Sequence, residues 1–280
     1  MSNTTTWRTV LNEAVAKVGD VDGRRLVEQA SGYDGAEVVL HLDEIPTQRS
    51  LAYFDVMLAR RIAGEPLQYV LGRWGFRSLD LMVDPRVLIP RPETEEVAGA
   101  AIAEARRLGA STVVDLGTGA GGIALSMAVE LPGVEVWATD VSADAIEVAR
   151  ANLAGIGRAA TRVQLRVGSW YEALPDDLRG RIDVIAANPP YVPDTAQLPP
   201  DVADWEPDVA LYATNKGTDH AAVVIDGAPS WLARPGALVM EHAAWMGEEM
   251  VERALAAGFD EAAFHHDMTE RERYIVARIG

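Results

Sequence analysis

The chain of 280 residues contains no cysteine, which excludes disulfides, thiolate metal sites and cysteine nucleophiles and leaves the redox compartment unmarked. Lysine is nearly absent as well: of 25 basic residues, only Lys17 and Lys216 are lysines. No apolar run approaches the roughly 18 residues of a membrane-spanning helix. The opening MSNTTTWRTV lacks the basic start and apolar stretch of a signal peptide, so a cytoplasmic location is the default expectation. Positive charge is scarce overall, with a formal net of −17, divided as −2 over residues 1–74 and −15 over the remainder. So acidic a second region is a poor host for a polyanion, which needs Lys and Arg to displace condensed counterions. Its acidic faces keep the protein in solution.

What the chain does have is globular. Hydrophobic content of 49% and charged content of 24% exclude disordered and fibrous classes, and the length suits two modest domains or one large one. From Thr6 to about Ala63, Val10, Leu11, Ala14, Val15 and Val18 recur at helical spacing, as do Leu51, Phe54, Met57, Leu58 and Ile62. Residues 1–75 therefore read as a small helical domain. Residues 76–92 read as a hairpin or extended linker, with Ile89-Pro90-Arg91-Pro92 held extended by its prolines. From residue 93 to 280 apolar strands alternate with helices: strands at 112–116, 134–140, 162–167, 182–187, 237–240 and 273–278. That alternation implies an α/β domain with a parallel sheet covered on both faces.

The first of these strands runs into Asp115-Leu116-Gly117-Thr118-Gly119-Ala120-Gly121-Gly122 and then a helix. The glycines permit a tight turn and close approach of a ligand to the backbone. Gly117, Gly119 and Gly122 also satisfy the dinucleotide fingerprint, and Asp140 stands at the right distance to bind a ribose. A nicotinamide or flavin thus remains open at this point. Charge favours another ligand: a pyrophosphate at the helix N-terminus wants amides and no competing anion. Asp115 suits instead the ammonium and sulfonium of S-adenosylmethionine. Asp140 would accept from the ribose hydroxyls of either.

The strand Ile182–Ala187 ends in Asn188-Pro189-Pro190-Tyr191. Its prolines end strand pairing and stiffen a loop at the sheet edge where such folds bind ligands. This pattern suits methylation of a planar amide or amine: its N–H groups can donate to the Asn188 side-chain oxygen and the Pro189 carbonyl, with Tyr191 as an aromatic wall. Such a site works by orientation and exclusion of water.

Asn188–Tyr191 together with Asp115–Gly121 resembles the amino-methyltransferase branch of the Rossmann-like, class I methyltransferases. The strings Gly64-Glu65-Pro66-Leu67-Gln68-Tyr69-Val70-Leu71-Gly72 and Val87-Leu88-Ile89-Pro90-Arg91-Pro92-Glu93-Thr94-Glu95 narrow the resemblance to the release-factor glutamine methyltransferases. These act on the side-chain amide of a Gly-Gly-Gln motif in peptide chain release factors. The resemblance implies S-adenosylmethionine as cofactor and a helical substrate-recognition domain ahead of the methyltransferase sheet. It puts the cofactor against Asp115, Gly117, Thr118, Gly119, Ala120, Gly121, Asp140, Trp170 and Asn188, with the methionine moiety on the glycine loop, the ribose on Asp140 and the adenine by Trp170. Asn188, Pro189, Pro190 and Tyr191 would hold the glutamine. Two departures stand out: Ser169 where the family often carries an acid, and Tyr212-Ala213-Thr214-Asn215-Lys216-Gly217 where it is usually glycine-rich.

Among the alternatives, a ribosomal-protein glutamine methyltransferase is nearest. A nucleic-acid adenine methyltransferase is disfavoured by the −15 charge of the second region, and a non-catalytic cofactor sensor is third. The expected partner is a release factor, without direct contact to nucleic acid or membrane, and the sequence is silent on oligomeric state. The five histidines show no metal-site spacing, so no metal is expected. Ser169 lacks the context of a nucleophile, and no basic residues interleave with the tryptophans to make a base-stacking platform.

Overall fold

The computed structural model describes residues 5–280, which fall into two compact units: one runs through Arg73 and includes Leu198–Trp205, and the other comprises Trp74–Gln197 and Glu206–Gly280. Among the described residues the first unit holds five helices in its N-terminal stretch, α1 (Trp7–Val18), α2 (Asp20–Ser31), α3 (Ala36–Leu40), α4 (Gln48–Ile62) and α5 (Leu67–Leu71). Side chains of Thr6 and Thr47 accept from the backbone N–H of Thr9 and Ser50 and so cap α1 and α4. Helices α1 and α2 cross so closely that a Cβ on Gly23 would lie 2.9 Å from the Val15 backbone nitrogen. Val10, Ala14, Phe54, Met57 and Leu58 enter the core with Trp7, Leu26 and Val27. Ile62, in the last turn of α4, is instead 55% exposed.

The Gly64–Gly72 string has a structural explanation. Glu65 is 6% exposed and accepts from Arg60 Nε at 2.7 Å and Nη2 at 2.5 Å. The same guanidinium donates to the carbonyls of Tyr69 and Val70, so one arginine ties α4 to the turn and to α5.

In the second unit a two-stranded ribbon, β1 (Arg73–Phe76) and β2 (Leu79–Met82), is followed by α6 (Pro92–Leu108). Proline opens α6, Glu93 and Glu95 lie in its first turn and Arg106 and Arg107 in its last, which complements the helix dipole at both ends. Next come β3 (Thr112–Leu116), α7 (Gly122–Glu130), β4 (Glu135–Asp140), α8 (Ala143–Gly155), β5 (Val163–Val167) and β6 (Ile182–Ala187). Short β7 (Val192–Pro193) pairs with β8 (Tyr212–Ala213); between them in the chain come the one-turn helices α9 (Pro200–Ala203), which belongs to the first unit, and α10 (Asp208–Leu211). The chain finishes with α11 (Asp219–Trp231), β9 (Leu232–Glu241), α12 (Gly247–Ala257), β10 (Glu261–His266) and β11 (Glu272–Ile279).

The main sheet has the order β10-β11-β9-β6-β3-β4-β5. Five strands are parallel, but β11 runs antiparallel to β9 and β10 antiparallel to β11. The sheet is therefore mixed, which corrects the all-parallel expectation. Strand β10 escaped the sequence reading because Glu261–His266 is an edge strand with two histidines and no fully buried residue. From β3 the chain proceeds outward through β4 and β5, then returns to lay β6 on the other side of β3. Ligands of open α/β sheets bind at such a reversal, beyond the carboxyl ends of the strands.

Residues 76–92 belong to this unit, and they support its glycine loop. Buried Phe76 sits where a Cβ on Gly122 would come within 3.2 Å of its ring. Asn152 of α8 accepts from Met82 N at 2.6 Å and donates to the carbonyls of Met82 and Ala120. One carboxamide thus joins β2 to the loop.

Candidate active site

At the carboxyl edge of β3, β4 and β6 lies a cavity of about 290 Å³. The structure brings Gly117, Thr118, Gly119, Ala120, Asp140, Trp170, Asn188 and Pro190 to its wall, whereas Asp115, Gly121, Pro189 and Tyr191 are not among the residues that line it. Gly119 turns the loop at φ +54°, a left-handed conformation that glycine adopts without steric cost. Asp140 accepts from Gly119 N and Ser142 N, both at 2.9 Å. Burial raises its carboxyl from the ordinary value while these amides oppose the shift. Trp170, at φ +44°, closes on Gly117, where a Cβ would be 3.3 Å from the indole.

Asp115 is 1% exposed. Its Oδ2 accepts from Thr118 Oγ1 at 2.6 Å and Ala124 N at 3.1 Å, bracing the loop from beneath, while Oδ1 has no hydrogen-bond partner among the described residues. Burial pushes this carboxyl up to about 7. The two arginines at the cavity are engaged elsewhere: Arg86 with Asp84, and Arg91 with Glu206, which also accepts from Ile89 N. A cradle with the Asp140 carboxylate on its wall, the Asp115 carboxylate beneath it and its arginines already paired suits a ligand that is cationic at one end and carries ribose hydroxyls. It does not suit a pyrophosphate.

Asn188 follows β6 and donates from Nδ2 to Thr94 Oγ1 at 3.1 Å. Thr94 donates to Glu241 Oε2 at 2.6 Å, and the Tyr191 hydroxyl donates to Glu241 Oε1 at 3.2 Å. Glu241 is 1% exposed at the end of β9, and burial lifts its carboxyl to about 7 despite Thr94 and Arg273. Burial likewise raises the Tyr191 phenol. Thr94 and Glu241 were not singled out in the sequence. Thr94 lay inside the Pro92–Glu95 string that carried the resemblance, whereas Glu241, 147 positions away, ends an apolar strand and gave no local signal. His220 also lines the cavity, with its ring 5.7 Å from Trp170. Beyond Tyr191, the atypical 212–217 segment keeps one indispensable glycine. Gly217, at φ +93°, leaves no room for a Cβ, which would fall 2.3 Å from the Tyr191 carbonyl oxygen.

The chain is 39% identical over 280 residues to the release factor glutamine methyltransferase of Bifidobacterium longum, covering 95% of both chains. It is 36% identical over 275 residues to that of Streptomyces coelicolor, covering 95% and 94%. The chain belongs to the release factor glutamine methyltransferase family. Residues 5–72 match the family model "PrmC N-terminal domain" and residues 101–203 match "Methyltransferase small domain". Among solved structures, the hMettl16 catalytic domain in complex with MAT2A 3′UTR hairpin 6 is similar at 16% identity and a TM-score of 0.57, covering 80% of this chain and 81% of that one. The N-terminal domain of human METTL16 in complex with SAH gives 16% and 0.52, with 78% and 82% covered. These two establish the class I methyltransferase fold and nothing finer. Among the described residues no helix is long and apolar enough to cross a membrane.

Proposed function

We propose that this protein methylates the side-chain amide nitrogen of a glutamine in a peptide chain release factor, with S-adenosylmethionine as methyl donor. The observation that carries this reading is the orientation of Asn188: its amino group is tied back to Thr94, which turns its oxygen toward the cavity as an acceptor for a substrate N–H. Gly117, Thr118, Gly119 and Asp140 would hold the cofactor, Asp140 through the ribose, with Trp170 along the adenine. When bound, the cofactor supplies an electrophilic methyl group on a sulfonium.

Everything else is done by the chain. Asn188 Oδ1 and the Pro189 carbonyl accept the two amide hydrogens, and this fixes the plane of the nucleophile. Pro190 and the proline-stiffened backbone keep those acceptors from drifting. Orientation of this kind can account for several kcal/mol of a barrier, and fixed acceptors need no reorganisation as charge develops. Tyr191 supports the site from behind through Glu241. The helical unit serves as the recognition domain for the rest of the release factor, because one inserted side chain offers little binding energy. The Gly-Gly-Gln motif fits this scheme, since glycines let the chain extend a side chain into a narrow site. A release-factor substrate places the reaction in the cytoplasm.

The test is incubation of the protein with labelled methyl donor and separate pools of release factors, ribosomal proteins and DNA. Label is expected in release factor and absent when the acceptor glutamine is changed to glutamate. Label in DNA alone would move the protein to an adenine-methylating activity, and label in ribosomal protein alone to a sibling glutamine substrate.

A further inference from the structure

The Asn188 carboxamide can accept an N–H of the substrate amide in only one of its two flipped orientations. With oxygen toward the cavity it accepts a substrate N–H; reversed, it presents N–H to N–H. Sterically the two orientations are nearly equivalent, so something must choose between them, and the hydrogen-bond network identifies what does. The Thr94 hydroxyl has a single hydrogen, and it is donated to Glu241 Oε2 at 2.6 Å. Toward Asn188, 3.1 Å away, Thr94 can then only accept, which selects the Nδ2–H face of the carboxamide. An ionised Glu241 accepts and never donates, so it holds the hydroxyl in this sense. Tyr191, donating to Oε1, holds the carboxylate from its other side.

We propose that Thr94 and Glu241 are positioning residues that set the flip state of Asn188 and keep its oxygen available to the substrate amide. This rests on the glutamine-binding role given to Asn188 above. Neither residue touches the reacting atoms; both act through Asn188. A neutral Glu241 could donate to Thr94 Oγ1 instead, freeing the threonine hydrogen to turn toward Asn188 and removing the selection. The groups bearing on its ionisation are Thr94 and Glu93 from α6, Tyr191 beyond β6 and Arg273 on β11. With burial lifting the Glu241 carboxyl to about 7, the selection is strongest above neutrality and fades as pH falls.

Three measurements test this at saturating concentrations of both substrates. Thr94→Val keeps shape and removes the hydroxyl that both selects the flip state and tethers the carboxamide; it should lower kcat about tenfold, as for one lost hydrogen bond, with S-adenosylmethionine affinity within about twofold of wild type by calorimetry. Thr94→Ser should recover most of that loss. The ratio of wild-type to Thr94→Val kcat should shrink between about pH 8.5 and about pH 6 as the wild type loses its own selection. A purely structural role would leave this ratio constant, and a constant ratio would overturn the proposal. In a double-mutant cycle, Thr94→Val on an Asn188→Ala background should add less than about twofold. Additive losses would refute the coupling while leaving the glutamine-binding role of Asn188 intact. Near-normal turnover of Asn188→Ala alone would remove that role and this inference together.

Discussion

In the helical unit the buried carboxylate of Glu65 faces the guanidinium of Arg60, and Asp22 faces Arg61 at 2.5 Å. At the carboxyl edge of the sheet, Asp115 and Glu241 are buried more deeply and meet hydroxyls and one backbone amide instead. Both arrangements remove a carboxylate from water, which is costly unless the charge is compensated. In the first, an arginine compensates it and joins elements of the scaffold. In the second, compensation is partial, the carboxyls rise to about 7, and one oxygen of Asp115 has no hydrogen-bond partner among the described residues. Incomplete compensation of this kind concentrates where a ligand will complete the site or where side chains must be oriented. The comparison therefore separates two sets of motif residues: the Gly64–Gly72 string carries the scaffold contacts of Glu65, Tyr69 and Val70 with Arg60, whereas Gly117–Ala120, Gly122, Asn188 and Pro190 line the cavity.

Substitutions can break this distinction. The largest expected effect is at Asn188. Asn188→Ala should lower the methylation rate about a thousandfold by loss of orientation and leave cofactor affinity within a few fold, as read by single-turnover kinetics beside calorimetry. Next, Asp140→Ala should weaken S-adenosylmethionine binding by about 2–3 kcal/mol, typical of hydrogen bonds to a charged group. Tight NAD binding without affinity for S-adenosylmethionine would refute the cofactor assignment. On the scaffold side, Glu65→Ala should cost about 2 kcal/mol of stability in urea unfolding, because it leaves Arg60 without its carboxylate. Turnover per folded molecule should stay near wild type. A selective loss of kcat without loss of stability would show that the Gly64–Gly72 string also serves catalysis.

The last effect concerns pH. The folded-state pKa of Asp115, about 7, lies above the unfolded value. Its stabilising contribution is therefore fully present below about pH 4 and is lost as pH rises through about 7. Asp115→Asn cannot ionise. Measured without cofactor, the melting temperature of Asp115→Asn minus that of wild type should increase from about pH 5 to about pH 8. A flat difference would mean that Asp115 is not strained by its burial.

These results also show what a single sequence reveals here. Strands β3 and β6 were legible because their apolar runs are bounded by glycine and proline, and the loops that follow them bring Gly117–Ala120, Asn188 and Pro190 to the cavity wall. The helical unit was legible because Val10, Ala14, Phe54 and Met57 keep a 3.6-residue period. Strand β10 was not, since an edge strand buries too little to show a pattern. Strand β9 was read only from Ala237, because Arg234-Pro235-Gly236 interrupts its apolar run. The supporting polar groups were the least visible. Asn152 and Glu241 owe their roles to partners up to 147 positions away, and a lone polar residue in a helix or at a strand end carries no periodic signal of such a partner. Asp115 was read as facing the ligand, and the structure places it one layer deeper, beneath the loop.

The central claim is tested most directly by peptide mass spectrometry of a release factor after incubation with S-adenosylmethionine and either wild-type protein or Asn188→Ala. A mass gain of one methyl group on the glutamine of the Gly-Gly-Gln peptide, made by the wild type and abolished in Asn188→Ala, is the result the account predicts. An unmodified glutamine with methyl groups on other residues, or equal modification by both proteins, would contradict it.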